Sequence, residues 1–355
     1  MKGLYVITHN DHNAPGGPFA VGRSGITVSG QWITSRADTT VRRGSSIVGP
    51  LMWFKENISN VNIREFLFDG NRRVLGVYLP SVDLDLAFSS RPSNVTVESE
   101  FYDARQDAVN FTTYGGVLEY SFIHHAAYSG GLVSTSGSGY EVRYNRIEDC
   151  GGSGITVFSS AGTIRNNSFA RNHREFPWQT CGGPCPGGQI VLHPQAQSIT
   201  VSDNHIDGAN IQAGAAWISG LEVYGRGHQL LRNNIFGHSG PGIYITGGQN
   251  IRVAERGQDG WKVDNNNKRT ISPTFSGIAI SNHPSIPQYS GNITIESYAS
   301  TNGHLYPIAI ETNGVGTITG ITVRNNCLAG NINSFIYTSG SVNLTQYGNT
   351  YAGCQ

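Results

Sequence analysis

Lysine is nearly missing from this chain. Only Lys2, Lys55, Lys262 and Lys268 occur in 355 residues, and the long middle has none. Any base or anion clamp there must be built from Arg, His, Tyr or carboxylates. Charge of either sign is scarce: 14% of residues are charged, 24 basic against 24 acidic. With no basic stripe to neutralise a phosphate backbone, nucleic acid is not an expected partner. No apolar run approaches the roughly 18 residues of a membrane-spanning helix, so no membrane insertion is expected. The opening MKGLYVITHNDHNAPGG lacks a basic segment followed by a long apolar one. The composition suits an exported protein, so the expectation is an extracellular or secreted chain, in mature or trimmed form, that begins partway into a fold. No heptad tail appears, and oligomeric state is not legible.

Cysteine is sparse too, at five residues. CGGPC (Cys181, Cys185) reads as a tight loop with two thiols or as a local disulfide. Cys327 and Cys354 form a second candidate pair, with Cys150 left over. Glycine, in contrast, is abundant. The 46 glycines show no collagen period and recur singly before apolar runs, which is turn punctuation.

One short pattern returns along most of the chain: VTVESEFYDA from Val95, VLEYSFIHHA from Val117, YEVRYNRIEDC from Tyr140, TIRNNSFARN from Thr163, ITVSDNHIDG from Ile199, LLRNNIFGHS from Leu230, ITIESYAST from Ile293 and ITVRNNCLAG from Ile321. Its period of two marks strands. Each copy precedes a second short strand that usually opens with Gly, such as SGITVF at Ser153, GGQIVL at Gly187 and PGIYIT at Pro241. Copies recur every 22 to 24 residues between Leu118 and Ile164. Such a unit cannot bury its apolar side alone, so it must stack on its neighbours as a solenoid.

Short strands, a period in the low twenties and aligned Asn residues resemble the right-handed parallel β-helix of the pectate-lyase-like superfamily, from SGITVSG at Ser24 to NLTQYGN at Asn343. The resemblance implies an all-β solenoid of about ten or more coils forming one domain over residues 1–355, with loop insertions at 173–188 and 207–219. The superfamily includes hydrolases, lyases, epimerases, tailspikes and non-catalytic proteins, so it specifies architecture and not activity. The WIDH signature of pectate lyases and the NTD, DD, GHG and RIK set of polygalacturonases are absent.

Aligning the copies predicts inward rows Ile147, Phe169, Ile206, Phe236 and Val142, Ile164, Val201, Leu231. Asn145, Asn167, Asn204, Asn234 and Asn326 become a ladder of stacked amides. An outward row of Glu98, Glu119, Arg143, Arg165, Arg232, Glu296 and Arg324 reads as solvated ion pairs. Beyond it, Asp103, His124, Glu148 and Asp207 share one outward column and His125, Asp149, Arg171 and His238 the next. A stacking ladder needs no such mixture of acids, imidazoles and guanidinium.

Long insertions enter at this edge. NHREFPWQTCGGPCPGG supplies His173, Arg174, Glu175 and Trp178, and the second insertion supplies Trp217. Aromatics beside charged groups suit a sugar, whose ring stacks on an apolar face while its hydroxyls bond polar edges. The expected partner is therefore a polysaccharide or oligosaccharide. Hydrolysis of its glycosidic bond needs two carboxyl groups, roughly 6.5–9.5 Å apart in inverting enzymes. Two coils would place the backbones of Asp103 and Glu148 on the order of 9.5 Å apart. The expected catalytic set is Asp103, His124, His125, Glu148 and Asp149, with Glu148 or Asp149 as acid and Asp103 as base. Asp107, Tyr128, Arg171, His173, Arg174, Glu175 and Trp178 are expected to bind substrate.

No cofactor is required on this reading. β-Elimination on a uronic-acid polymer is the second reading, with Arg171, Arg174, His124, His125 or Tyr128 as base and Ca²⁺ on Asp103, Asp107 and Asp149. A carbohydrate-binding or structural shaft without turnover is the third. HNDH at His9 to His12 carries metal-ligand residue types but reads more readily as solvated loop.

Overall fold

The computed structural model describes residues 3–7, 19–21, 23–30, 32–33, 36–37, 39–43, 51–54, 58–70, 86–88, 92–104, 107–126, 131–133, 137–173, 187–208, 218–254, 263–264, 276–286, 288–299, 304–329, 331–333 and 335–352. Among them every regular element is a strand, and no helix is long and apolar enough to cross a membrane. The strands form two long parallel sheets, of 20 and 12 strands, plus one antiparallel hairpin, Trp32–Ile33 with Arg36–Ala37. Each coil gives one strand to the twelve-strand sheet and, in most coils, two short ones to the larger sheet, as in Ile155–Val157 after Glu141–Arg143 and Arg146–Glu148. The larger sheet thus bends at a corner in every coil, and the solenoid has three flanks. The expected parallel β-helix, with more than ten coils, is what forms.

Register follows the repeat. Leu118 pairs with Val142 and Val142 with Ile164. Their side chains point inward, with Ile147, Phe169 and Ile206, into one continuous apolar core. The twelve-strand sheet closes that core with Ile155, Ile190, Leu221, Ile243, Ile278 and Ile308. Extended strands alternate faces, so a core residue at every second position leaves its neighbours facing out.

The corner between the two short strands is made by a left-handed residue followed by Asn. Tyr144, Asn166, Asp203 and Arg232 have φ of 56°, 55°, 57° and 50°. That turn breaks the strand ladder, and the next side chain restores the lost bonds. Asn145 Nδ2 donates to Asn167 Oδ1 at 3.0 Å and to the Leu118 carbonyl at 2.8 Å. Asn167 repeats this with Asn204 and Val142, and Asn204 with Asn233 and Ile164. Asn326 and Asn349 form a second run near the end.

One coil corrects the predicted alignment. Leu230, Asn233 and Ile235 take the ladder and core positions expected of Leu231, Asn234 and Phe236. The doubled letters of LLRNN fit two frames one residue apart, and the frame adopted buries Ile235 completely. It also moves Arg232 out of the predicted ion-pair row into the corner, where it forks onto Asp203 at 2.7 and 2.8 Å. Within that row Arg143 pairs with Glu119 and Arg324 with Glu296 as expected, whereas Arg165 reaches Glu141 and Glu296 also takes Arg252, both from the row two residues before.

Cys327 is disulfide-bonded, and Cys150 is buried with its thiol 3.6 Å from the Glu148 carbonyl. Cys181, Cys185 and Cys354 lie outside the described residues, as do His9, Asp11 and His12.

Two substitutions test the stacking. Asn167→Ala leaves the buried Asn145 N–H and Val142 carbonyl of the preceding coil without their side-chain partner, each costing about 1–3 kcal/mol. At Gly162 a Cβ would lie 2.0 Å from the ring of fully buried Tyr140, so Gly162→Ala costs roughly 1–3 kcal/mol by overpacking. Chemical denaturation should show both losses; two variants as stable as the parent would contradict the packing described.

Candidate functional site

At the edge where the larger sheet ends, Tyr102, His124, Glu148, Ala170, Asp207 and Phe236 form one column. Asp103, His125, Asp149, Arg171 and Gly208 form the next, through the bonds that each amide makes to the neighbouring coil. This corrects the predicted alignment in two places. Asp103 stands beside His125, not His124, because strand Ser93–Tyr102 lacks one corner residue: Ser99 alone spans what Tyr120 and Ser121 span in the next coil. Gly237, with φ of 79°, holds the corner seat predicted for His238, whose side chain is buried.

The left-handed corner repeats here at Asp103, His125, Asp149 and Arg171, with φ from 54° to 60°. Since the opposite corner uses the same conformation, it is a property of the coil and not a mark of catalysis. His124 has carboxylates around it even so. Its Nε2 lies 3.2 Å from Glu100 Oε1, and its Nδ1 lies 2.9 Å from His125 Nδ1. Tyr102 and Phe122 hold its ring, with centroids 4.9 and 4.0 Å away. With Glu100 ionised, Nε2–H of His124 donates to it and Nδ1 accepts from His125 Nδ1–H. That order leaves the remaining imidazole lone pair on His125 Nε2.

Glu148 and Asp149 are held differently. Arg146 forks onto Glu148 at 3.0 and 2.8 Å, and Arg171 onto Asp149 at 3.0 and 2.6 Å while also reaching Glu148 at 3.1 Å. Oxygens engaged this way serve as acceptors and are poorly placed to deliver a proton. His173 bonds Ser153 and the Gly188 carbonyl, each at 3.1 Å, and burial pushes its imidazole down to about 4, so it is neutral. Asp107 is buried just before strand Val109–Asn110. Tyr128, Arg174, Glu175, Trp178 and Trp217 lie outside the described residues. Among the described residues no three His, Cys, Asp or Glu side chains converge to hold a metal ion, and Asp103, Asp107 and Asp149 form no such group.

A second cluster escaped the sequence reading. On the outer face of the twelve-strand sheet, Val191, Glu222, Tyr244, Ala279, Ala309 and Tyr337 align coil by coil. Thr246, Ser281 and Glu311 align in the row two residues on, after His193 and Tyr224, which continue their strands. Glu222 is 2% exposed. Tyr224 donates its hydroxyl to Glu222 Oε1, which leaves Oε2 to carry a proton. Burial pushes this carboxyl up to about 7 despite that bond. Burial also raises the Tyr224 and Tyr244 phenols, so both remain donors. Ser281 Oγ donates to the Tyr244 hydroxyl at 2.8 Å, and Tyr244 feels the charges of both Glu222 and Glu311. Burial raises Glu311 as well and lowers His193, whose ring packs on Phe158 at 4.0 Å.

A carboxyl poised near neutrality beside neutral phenols is a proton-transfer group in waiting. The signal in the sequence was a lone Glu at an outward position of the apolar strand Ile218–Val223. In the sequence, residues 174–186 and 209–217 immediately precede strands Gly187–Leu192 and Ile218–Val223.

A right-handed β-helix family model matches residues 51–220. No curated protein matches the sequence. Among solved structures, the A-module of the Azotobacter vinelandii mannuronan C-5 epimerase AlgE6 is similar with a TM-score of 0.65 at 17% identity, covering 97% of this chain and 93% of that one. The catalytic unit of a GH87 α-1,3-glucanase from Streptomyces thermodiastaticus gives a TM-score of 0.51 at 13% identity, over 98% and 63% of the two chains. The periplasmic alginate epimerase AlgG gives 0.51 at 12% identity, over 93% and 76%. These likenesses establish a right-handed parallel β-helix.

The edge network makes its own prediction. Arg171→Met removes the fork that Asp149 accepts and should cost about 2–3 kcal/mol, less than a fully buried pair because the guanidinium is partly in water. Arg146, 62% exposed along its side chain, should cost under about 1 kcal/mol as Arg146→Met. Equal losses in thermal denaturation would contradict this ranking.

Proposed function

We propose that this right-handed parallel β-helix acts on a polysaccharide, cleaving glycosidic bonds by hydrolysis on the outer face of its twelve-strand sheet, with Glu222 as general acid. The observation that carries the reading is the buried Glu222 carboxyl, bonded by Tyr224 on one oxygen and held up to about 7. Protonating a leaving glycosidic oxygen requires a carboxyl that keeps its proton near neutral pH, which an apolar site provides. Glu311 is the carboxylate assigned to water activation. Three coils put its backbone on the order of 14 Å from that of Glu222, and both side chains act on Tyr244 between them. That span lies well beyond a retaining pair at 5–5.5 Å, and the two side chains have to reach towards each other to stand at the roughly 6.5–9.5 Å of an inverting pair. Similarity in fold to carbohydrate-acting proteins agrees with this substrate class.

A second reading, β-elimination on a uronic-acid polymer, draws on the edge cluster. There Glu100 and His124 orient His125 as the base, Arg171 stands two coils along the same corner column, and Asp103, Glu148 and Asp149 complete the electrostatic surroundings. An extracellular or periplasmic location fits either reading, since polysaccharides of that size are met outside the cytoplasm.

Glu222→Gln should lower turnover at least about 100-fold, the usual share of a general acid, with reducing ends as the readout. His125→Gln should leave turnover within a few-fold. The reverse result, accompanied by ultraviolet absorbance from an unsaturated product, favours elimination at the edge. Wild-type activity should fall as pH rises through about 7, where Glu222 loses its proton. Stability should follow the same sign. A carboxyl raised from 4.5 to about 7 on folding contributes stability that is complete below about 4.5 and lost as pH rises through about 7. Glu222→Gln should flatten that slope in denaturation curves; an unchanged slope would assign it to other groups.

A further inference from the structure

The outward column that contains Glu222 does not stop there. Tyr244 pairs with Ala279, Ala279 with Ala309 and Ala309 with Tyr337. Two small residues therefore separate Tyr244 from a second aromatic group at the C-terminal end of the sheet. Tyr337 packs on Tyr306 with centroids 4.9 Å apart, and Phe335 meets Tyr306 edge to face at 5.1 Å. Phe335 is 52% exposed and Ile332 64%. The strand of chain that carries them is chemically distinctive: from Asn325 to Gln355 there is no Asp, Glu, Lys, Arg or His, while Asn, Ser, Thr and Tyr recur. Asn331 and Asn333 flank Ile332, and Asn333 pairs through its backbone with Leu305 beside Tyr306.

We propose that Tyr306, Phe335 and Tyr337 form a distal polysaccharide-binding subsite, three coils from Tyr244 on the same face, which receives a continuation of the sugar chain acted on at Glu222. The proposal rests on the reading of that face as a polysaccharide site. Three features select a sugar chain as the occupant. The aromatic rings offer apolar faces and edges for the C–H side of a pyranose. The surrounding amides and hydroxyls bond sugar hydroxyls, residues 325–355 carry no Asp, Glu, Lys, Arg or His, and Glu311, opposite Ser339 on the neighbouring coil, disfavours a polyanion. Continuity with Tyr244 by strand register aligns the subsite along the solenoid axis, with the backbones of Tyr244 and Tyr337 on the order of 14 Å apart.

Affinity electrophoresis in gels containing alginate, polygalacturonate, dextran or xylan tests this with the full chain. Wild type and Glu222→Gln should be retarded equally by dextran or xylan, with the polyanions alginate and polygalacturonate retarding less, and the retardation should survive about 0.5 M salt, which screens charge attraction. Phe335→Ala, at an exposed position where folding is not at stake, should weaken retardation at least fivefold, and Phe335→Trp should keep it. In turnover assays Phe335→Ala should raise KM for the polymer and leave kcat unchanged. Retardation of Phe335→Ala equal to wild type, or no retardation of wild type in any gel, would overturn the subsite. A wild-type dimer in sedimentation that Phe335→Ala dissolves would also overturn it, because the occupant would then be a second copy. If Glu222→Gln keeps full turnover while Phe335→Ala loses retardation, the catalytic assignment fails and the subsite stands.

Discussion

The amide ladder at the corner is the interaction on which this structure depends. Each coil has to turn within two residues, and the turn leaves backbone N–H and C=O groups without strand partners in an environment that excludes water. Asn145, Asn167, Asn204 and Asn233 take up those groups and at the same time bond one another. Stacking is thereby locked in register. The outward columns of those coils, the edge cluster and the strand of Glu222 among them, inherit their alignment from that lock.

Given register, the chemistry of a face is decided by which residues recur on it. Most outward rows pair acids with arginines and are electrically satisfied, as Glu141 is by Arg143 and Arg165 and Asp203 by Arg232. The edge cluster partly belongs to this kind, with Arg146 and Arg171 closing over Glu148 and Asp149. The face around Glu222 differs because its acid is buried with no cation paired to it among the described residues and is bonded instead to a phenol. A cationic partner would have held the carboxyl ionised, whereas desolvation beside Tyr224 holds the proton on.

Much of the fold was legible in the sequence because a solenoid repeats its evidence. Val142 and Ile164 could be aligned from spacing alone, and they pair. The alignment slipped where a repeat lost or doubled a letter: at Ser99, where one corner residue is missing, and at LLRNN, where two frames fit equally. Period-two structure makes such slips costly, since one residue exchanges inward for outward. The edge cluster was legible as a group, though with Asp103 one place off. The Glu222 face was not, because its members lie in separate apolar strands, between which come segments as long as 174–186 and 209–217. No local motif links His193 to Tyr224 or Glu222 to Tyr244; only coil-to-coil pairing does.

The central claim is that one buried carboxyl on the twelve-strand sheet keeps its proton near neutrality. Isotope-edited infrared difference spectra between wild type and Glu222→Gln, recorded across a pH series, observe that group directly through its protonated and ionised carboxyl bands. The account predicts a titration centred at about 7 that is missing in the variant. A midpoint near the ordinary 4.5 would mean that Glu222 is ionised where the chain works, and the assignment of this face as a proton-donating site would be wrong.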